Sequence, residues 1–400
     1  MMRLLCVLCI GSSLPMTALA TDDVFFLPLG DLPGGLQSSA AYGVSADGRT
    51  IGGGGFTPIG VEGIVWRDGV MTGLGDLPGG QFGSFAQAVS ADGRVIVGSA
   101  SGVNHSEPVV WRDRVIYPLP VPNGLSGTAD AVSDDGTVIV GGAFMWVNDS
   151  RVEFELPSGI SGVTFNALSA DGTTAVGAAY VSGVGTRAFR LSETFEMLDD
   201  LSAPPESNAW GVSADGSRVV GYSYPDGIAV FVPVIWNGTE LAEFRRDEIP
   251  MATTAHAASA DGGVIVGGGG NSAFVWTELD GARRIVDVLY QDFGIGIDDW
   301  DYLETANSVS ADGRTIVGVG QNALGMNEAF AVRLKYRCTR TDLDFNFETN
   351  LVDLAILLAH FGECSSDEGF LPVADVDRRG CVDLPDLAAL LSEFGTACAE

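Results

Sequence analysis

Most of the chain is a succession of short runs in which apolar and polar positions alternate, each bounded by Gly, Asp or Asn. AYGVS (41–45) runs into Asp47-Gly48, and the β-branched run RTIGG (49–53) follows. After a variable loop comes GIVWR (63–67), and a polar turn at Asp68-Gly69 opens VMTGLGDLP (70–78). Alternation with a period of two over so few residues predicts half-buried strands. Asp-Gly between two of them predicts a two-residue type I′ hairpin.

The pattern then recurs. GVSADGRTIGG (43–53) returns as AVSADGRVIVG, AVSDDGTVIVG, ALSADGTTAVG, GVSADGSRVVG, AASADGGVIVG and SVSADGRTIVG, with the Asp of the Asp-Gly pair at Asp47, Asp92, Asp135, Asp171, Asp215, Asp261 and Asp312. Successive spacings are 45, 43, 36, 44, 46 and 51 residues. Four strands in about 44 residues is the size of one propeller blade, so an all-β, seven-bladed β-propeller is expected. An open β-solenoid is the rival, and the ends of the array decide against it. The seventh copy runs AFAVRLKYR (329–337) and stops without a fourth strand, whereas FFLPLGDLP (25–33) stands before the first copy with no repeat of its own. That N-terminal strand is expected to complete the last blade and close the ring.

Trp66, Trp111, Trp146, Trp236 and Trp276 share one repeat position, replaced by Leu191 and Val332 in copies four and seven. Repeat-periodic apolar residues pack between neighbouring units. Trp210 and Trp300 lie off that register and are the better candidates for ligand contact. The Asp-Gly pairs are accounted for by turn chemistry. Asp299, Asp301 and Glu304, close to Trp300, are the acids that a catalytic site could use. A nucleophilic triad, a phosphate-cradling glycine loop and a zinc motif are absent. The GGGG runs at 52–55 and 267–270 lie in repeat turns without a following helix or Lys.

Composition narrows the partners. A net charge of −31 argues against nucleic acid or an anionic membrane. MMRLLCVLCIGSSLPMTALA (1–20) has Arg3, an apolar run and small residues at Ala18 and Ala20, the layout of a cleaved secretory signal. No other stretch is apolar enough to span a membrane. Beyond Cys6 and Cys9 the cysteines are Cys338, Cys364, Cys381 and Cys398, an even cluster that reads as two disulfides in an exported protein. With only His105, His256 and His360 in the chain, zinc is disfavoured.

The repeat resembles the HAF repeat of bacterial extracellular proteins over residues 24–337. AFMW (143–146) and AFVW (273–276) match its Ala-Phe-x-Trp part and LGDLPGG its tail, although its His is missing from every copy. The resemblance implies an exported repeat protein and no particular activity.

From Cys338 the character changes. DLAILLAHFG (353–362) and DLAALLSEFG (386–395) are a duplication, each helix-like run preceded by a twelve-residue acidic loop, DLDFNFETNLVD (342–353) and DVDRRGCVDLPD (375–386). Carboxylates at loop positions 1, 3 and 12, with oxygens at 5 and 9, can surround one calcium ion. Residues 338–400 resemble a GC-type dockerin of planctomycete-like bacteria, a small α-helical domain of paired EF-hand-type loop-helix units. The resemblance implies Ca2+ ligands at Asp342, Asp344, Asn346, the Glu348 carbonyl, Asn350 and Asp353, and at Asp375, Asp377, the Cys381 carbonyl, Asp383 and Asp386. Phe347 stands where the pattern has a sixth-position Gly, and Arg379 replaces the fifth-position ligand of the second loop, so binding is expected near ~10⁻⁴–10⁻³ M. Antiparallel helices in such a pair place Cys398 by Cys338 and Cys364 by Cys381.

The expected organisation is a signal peptide (1–20), a propeller (21–337) and a dockerin-like anchoring domain (338–400). The expected function is that of a secreted or cell-surface, non-catalytic binding or structural protein. Its C-terminal domain would attach to a cohesin-like or other surface receptor, and its propeller loops would take a polysaccharide or protein ligand. A polysaccharide hydrolase or lyase carried on a dockerin is the alternative.

Overall fold

The structure, a computed structural model, describes residues 24–397 apart from 68, 123–124, 227–229, 245–248, 250–251 and 368. The expected signal peptide and Cys398 lie outside the described residues.

The alternating runs form antiparallel strands, grouped four at a time in chain order. The first group is Ser39–Val44, Thr50–Thr57, Gly60–Arg67 and Val70–Gly73. Five such four-stranded sheets are present among the described residues, and eight further strands share one sheet. That larger sheet is two meanders joined by a single residue pair, Gly268 with Thr305. One meander comprises Thr254–Ala258, Val264–Gly268, Phe274–Thr277 and Gly281–Arg284. The other takes Trp300–Val309, Thr315–Asn322 and Asn327–Arg333 from the end of the array and Phe25–Pro28 from its beginning. Phe25 pairs with Arg333 and Pro28 with Phe330, and the N–H of Leu29 continues the ladder to the Ala329 carbonyl at 2.9 Å. The orphan N-terminal strand thus lies where the incomplete seventh copy lacks one.

The meanders stand around one axis as a β-propeller. The residue before each Asp-Gly pair donates its N–H to its counterpart in the next repeat. Ala46 bonds to Ala91, Ala91 to Asp134, Asp134 to Ala170, Ala170 to Ala214, Ala214 to Ala260, Ala260 to Ala311, and Ala311 back to Ala46, at 2.8 to 3.2 Å. The circuit of bonds is closed.

The Asp-Gly turns differ from the type I′ expectation. Only the glycine has positive φ (Gly48, +73°), whereas a type I′ turn needs it at both central residues. The buried Ser45 explains the wider loop. Its Oγ donates to Asp47 Oδ1 (2.7 Å) and accepts from the Thr50 N–H (2.9 Å), while Gly48 N–H closes a turn on the Ser45 carbonyl. The same Ser-x-Asp-Gly arrangement recurs in later copies, with Ser90 and Asp92, and Ser213 and Asp215.

The registered tryptophans pack, as expected of repeat-periodic apolar residues. Trp66, Trp111, Trp146 and Trp236 are buried, and each donates its Nε1–H to a carbonyl at the end of the preceding meander: Leu29, Leu74, Pro120 and Asp199. The core lies between neighbouring sheets, as where Val65 and Leu74 meet Ala86, Ile96 and Trp111.

Three α-helices occur among the described residues. Helix α1 (Ile285–Phe293) sits in the longest repeat spacing and packs Ile285, Val288 and Leu289 into the core. Helices α2 (Leu351–Ala359) and α3 (Leu384–Ser392) follow the two acidic loops and share a small core of Leu343, Leu357, Val376, Val382 and Leu390.

Candidate functional site: the axial mouth and the acidic loops

The first strand of six of the seven repeats carries an irregularity that the alternation in the sequence hides. Its register against the second strand slips by one residue between Ala41 and Gly43, Ala86 and Ala88, Phe165 and Ala167, Ala209 and Gly211, Ala255 and Ala257, and Ala306 and Ser308. The skipped residues are Tyr42, Gln87, Asn166, Trp210, His256 and Asn307. In the third copy Asp130 has the equivalent place, five residues before the Asp of the Asp-Gly pair. A β-bulge leaves its extra residue unpaired and re-aims its side chain.

A glycine within the second strand, opposite the bulge, makes room for it. A Cβ at Gly98 would lie 1.9 Å from the Phe85 carbonyl oxygen, and one at Gly177 would lie 1.8 Å from that of Thr164. No side chain fits there.

All seven of these residues line one cavity of about 550 Å³, within the ~300–1,000 Å³ of small-molecule sites. Deeper in, Val44, Val89, Val132, Leu168, Val212, Ala258 and Val309 form an apolar ring that also bounds a second space of about 130 Å³, lined beyond by Ala46, Ala91 and Ala311. The mouth is therefore polar and aromatic, and its floor is apolar.

Several of the mouth's groups are held in place. Asn166 donates to Asn208 Oδ1 and the Ala209 carbonyl, both at 2.7 Å, and Asn307 donates to the Ala41 carbonyl at 2.8 Å. Asp130 Oδ2 accepts from Thr128 Oγ1 (2.8 Å) and the Gly142 N–H (3.0 Å), and burial pushes its carboxyl above the usual range. His256 Nδ1 lies 3.1 Å from the Ala306 carbonyl. Thr305 Oγ1 lies 3.0 Å from the same nitrogen, and a proton on Nδ1, the tautomer the accepting carbonyl calls for, leaves Nε2 with a lone pair. Burial lowers the imidazole's pKa. The Trp210 indole is 42% exposed and stands edge-on to His256 at 6.3 Å.

The other sequence candidates fare differently. Trp300 is 7% exposed and packs against Phe26 of the N-terminal strand at 5.3 Å, so it belongs to the core. Asp299, Asp301 and Glu304 do not line the axial cavity.

The acidic loops do gather their carboxylates. Asp342, Asp344 and Asp353 can bring one oxygen each within 4.8 Å of one another, and so can Asp375, Asp377 and Asp386. Asp342 accepts from the N–H groups of Asn346 and Phe347 at 3.0 Å, and Asp375 from those of Arg379 (3.1 Å) and Gly380 (2.7 Å). Asp353 holds Leu343 and Asn350 by their N–H groups, and Asp386 holds Asp377 and Asp383. Burial first, and then the neighbouring carboxylates, push Asp342, Asp344 and Asp375 above their usual pKa. Asp344 Oδ1 is buried without a hydrogen-bond partner, as an oxygen awaiting a cation would be. The clusters fit a metal ion.

Asn346 and Glu348 are exposed in the first loop, while Asn350 caps α2 by accepting from Val352 N–H at 2.8 Å. Phe347 has φ +68°, the left-handed conformation that its place in the loop demands, and Phe345 has φ +61°. The Arg379 side chain is 77% exposed and pairs with Asp377 from outside at 3.4 Å.

Each loop is tied to the segment behind the other loop's helix. Glu348 bridges to Ala397 beyond α3, and Cys381 bridges to Cys364 beyond α2. The expected Cys364–Cys381 disulfide is present. Cys338 is also disulfide-bonded, and its expected partner Cys398 lies outside the described residues.

No protein-family profile and no curated protein matches the chain. Solved structures do. An oligogalacturonate lyase from Vibrio parahaemolyticus is 13% identical with a TM-score of 0.50, over 78% of this chain and 97% of that one. The β-propeller domain of the Trilobed protease from Pyrococcus furiosus, 13% identical, has a TM-score of 0.48 over 73% and 95%. A gluconolactonase from Xanthomonas campestris, 14% identical, has a TM-score of 0.40 over 80% and 93%. At such identities the likeness is one of fold. No described helix is long and apolar enough to cross a membrane.

Proposed function

We propose that this is an exported, non-catalytic binding protein: a closed seven-bladed propeller with a ligand site at its axial mouth, followed by a dockerin-like domain (338–400) that binds Ca2+ and attaches to a cohesin-like surface receptor. The observation that carries the reading is the mouth itself. The repeats keep their Ser, Asp-Gly and Gly positions constant and vary the one bulge residue that lines the cavity. Such variation on a fixed frame suits recognition.

Attachment is supported by a duplicated apolar face. Leu351, Leu358 and Phe361 are 71%, 52% and 42% exposed, and their counterparts Leu384, Leu391 and Phe394 are 69%, 54% and 43% exposed. Calcium would be held by Asp342, Asp344 and Asp353 and by Asp375, Asp377 and Asp386. Its charge would offset the repulsion among those carboxylates and stiffen both loops. The Cys364–Cys381 disulfide agrees with export.

A second reading, a polysaccharide hydrolase or lyase, is favoured by Asp130 and His256 lining the same cavity with shifted pKa values. Incubating the mature protein with a panel of polysaccharides separates the two. Retention without released sugar is expected; release of sugar that stops on Asp130→Asn would replace the binding reading with the catalytic one.

A further inference from the structure

We propose that the axial mouth binds a neutral, hydroxyl-rich ring, a saccharide without acidic groups, stacked on Trp210. The inference rests on the mouth being the ligand site. It adds the chemistry of the ligand.

Charge excludes most alternatives. None of the residues lining the cavity is Lys or Arg, so a uronate, a phosphate or an acidic peptide would enter without a counter-charge. A cationic ligand is also poorly served. Asp130 is the one carboxylate in the lining, and its Oδ2 already accepts from Thr128 and Gly142. Burial works against its charge. Recognition of an ammonium group calls for converging acids or an aromatic cage. Trp210, at 42%, is the one exposed aromatic residue of the lining.

The groups that remain suit hydroxyls. Asn166 and Asn307 spend amide N–H on backbone carbonyls, which fixes both side chains; the Asn307 Oδ1 accepts from Thr305 Oγ1 at 3.4 Å and keeps one lone pair, and the Asn166 Oδ1 is an acceptor as well. His256 spends Nδ1 on Thr305 Oγ1 and the Ala306 carbonyl, which leaves Nε2 as its ring nitrogen for a ligand. Gln87 and the Tyr42 phenol can both donate and accept. Sugar hydroxyls can satisfy such a rim of fixed acceptors with a few donors, and the apolar face of a pyranose matches an exposed indole. The apolar ring below, from Val44 to Val309, offers no partner for hydroxyls and confines the polar contacts to the mouth.

The test uses the full mature chain. Neutral tetrasaccharides of glucose, xylose, mannose and galactose in their common linkages are titrated by calorimetry and tryptophan fluorescence, beside tetragalacturonate and choline. At least one neutral probe is expected to bind saturably and to perturb the fluorescence. Trp210→Ala should weaken it at least tenfold with unchanged circular dichroism, and Trp210→Phe should restore most of the affinity. Absence of binding by every neutral probe overturns the inference. So does binding indifferent to Trp210→Ala, or preference for tetragalacturonate or choline. Retention on an insoluble polysaccharide that survives Trp210→Ala would remove this site while leaving the proposed function in place.

Discussion

Arg378, at the fourth position of the second acidic loop, sets its guanidinium on the carboxylate of Asp280, and it also donates to that residue's carbonyl oxygen at 3.1 Å. Asp280 lies in the turn between two strands of the sixth repeat, and Arg337 reaches the same carboxylate at 3.3 Å. The fourth position of the first loop does the same work with an aromatic ring. Phe345 lies against Phe293 at the end of α1, 4.9 Å between ring centroids, and the Arg337 guanidinium sits over its ring at 5.9 Å. Both fourth-position residues have positive φ, +61° at Phe345 and +58° at Arg378. The same corner of each loop therefore touches the propeller.

Asp280→Ala should loosen this contact, because it removes the carboxylate that Arg337 and Arg378 share. Limited proteolysis between residues 335 and 341 is expected to be faster in the variant. Calcium, on the proposal that both loops bind it, should slow cleavage in the parent chain more than in the variant. Equal cleavage rates with and without Asp280 would show that the two parts do not dock through it.

Gly98→Ala should be among the most damaging single substitutions in the chain. The new methyl group would lie 1.9 Å from a backbone oxygen that the bulge at Gln87 holds in place. Forced displacement of packed backbone costs about 3 kcal/mol. The denaturation midpoint should fall accordingly, whereas Gly75→Ala, with open space around it but φ +77°, should cost less.

The repeat turns predict an acid limb to stability. Asp215 is lowered to about 2 by the Ser217 N–H, helped by the hydroxyls of Ser213 and Ser217. A depressed carboxylate stabilises the fold above its unfolded pKa of about 4, and that contribution is lost as pH falls through the folded value. Asp92, Asp135 and Asp171 are lowered too, first by the N–H of Arg94, Thr137 and Thr173 respectively. Melting temperature should therefore decline between pH ~4 and ~2, with a shallower slope in Asp215→Asn. An identical slope would mean that the turn carboxylate carries none of the effect.

Calcium calorimetry on the intact chain should give weak binding, on the order of 10⁻⁴–10⁻³ M. Asp342→Ala should abolish the first site. Phe347→Gly should tighten it roughly tenfold by removing the ~1–2 kcal/mol of left-handed strain that the bound loop must bear, and Arg379→Asp should tighten the second by adding a ligand. Absence of calcium heat in the parent and in both repaired variants would make the loops structural only.

Much of this fold can be read from the chain. The repeats, the orphan strand at 25–33 and the buried tryptophans follow from alternation and period alone. The Asp-Gly pair misleads about turn type because the buried Ser two residues earlier, which holds the wider loop, looks like ordinary strand polarity. The bulges leave no mark on the alternation. Their signal lies in the column Tyr42, Gln87, Asp130, Asn166, Trp210, His256 and Asn307, where variation sits inside an otherwise steady repeat. Trp300 stands out in the sequence as a candidate for ligand contact only because it is off register, and the strand that covers it comes from the other end of the array. Helix α1 is announced only by the 51-residue spacing, which gives the C-terminal residues their docking platform.

Everything proposed for the axial mouth requires that the two ends of the array meet. Phe25 and Arg333 are register partners in the closing pair of strands, close enough for a disulfide if both are replaced by cysteine. The decisive measurement is peptide mapping of the unreduced Phe25→Cys, Arg333→Cys double variant, purified as monomer. A disulfide between the two introduced cysteines within one chain, with a raised melting temperature that reverts on reduction, is predicted. Unlinked thiols at both positions, or linkage only between chains, would contradict the closed ring.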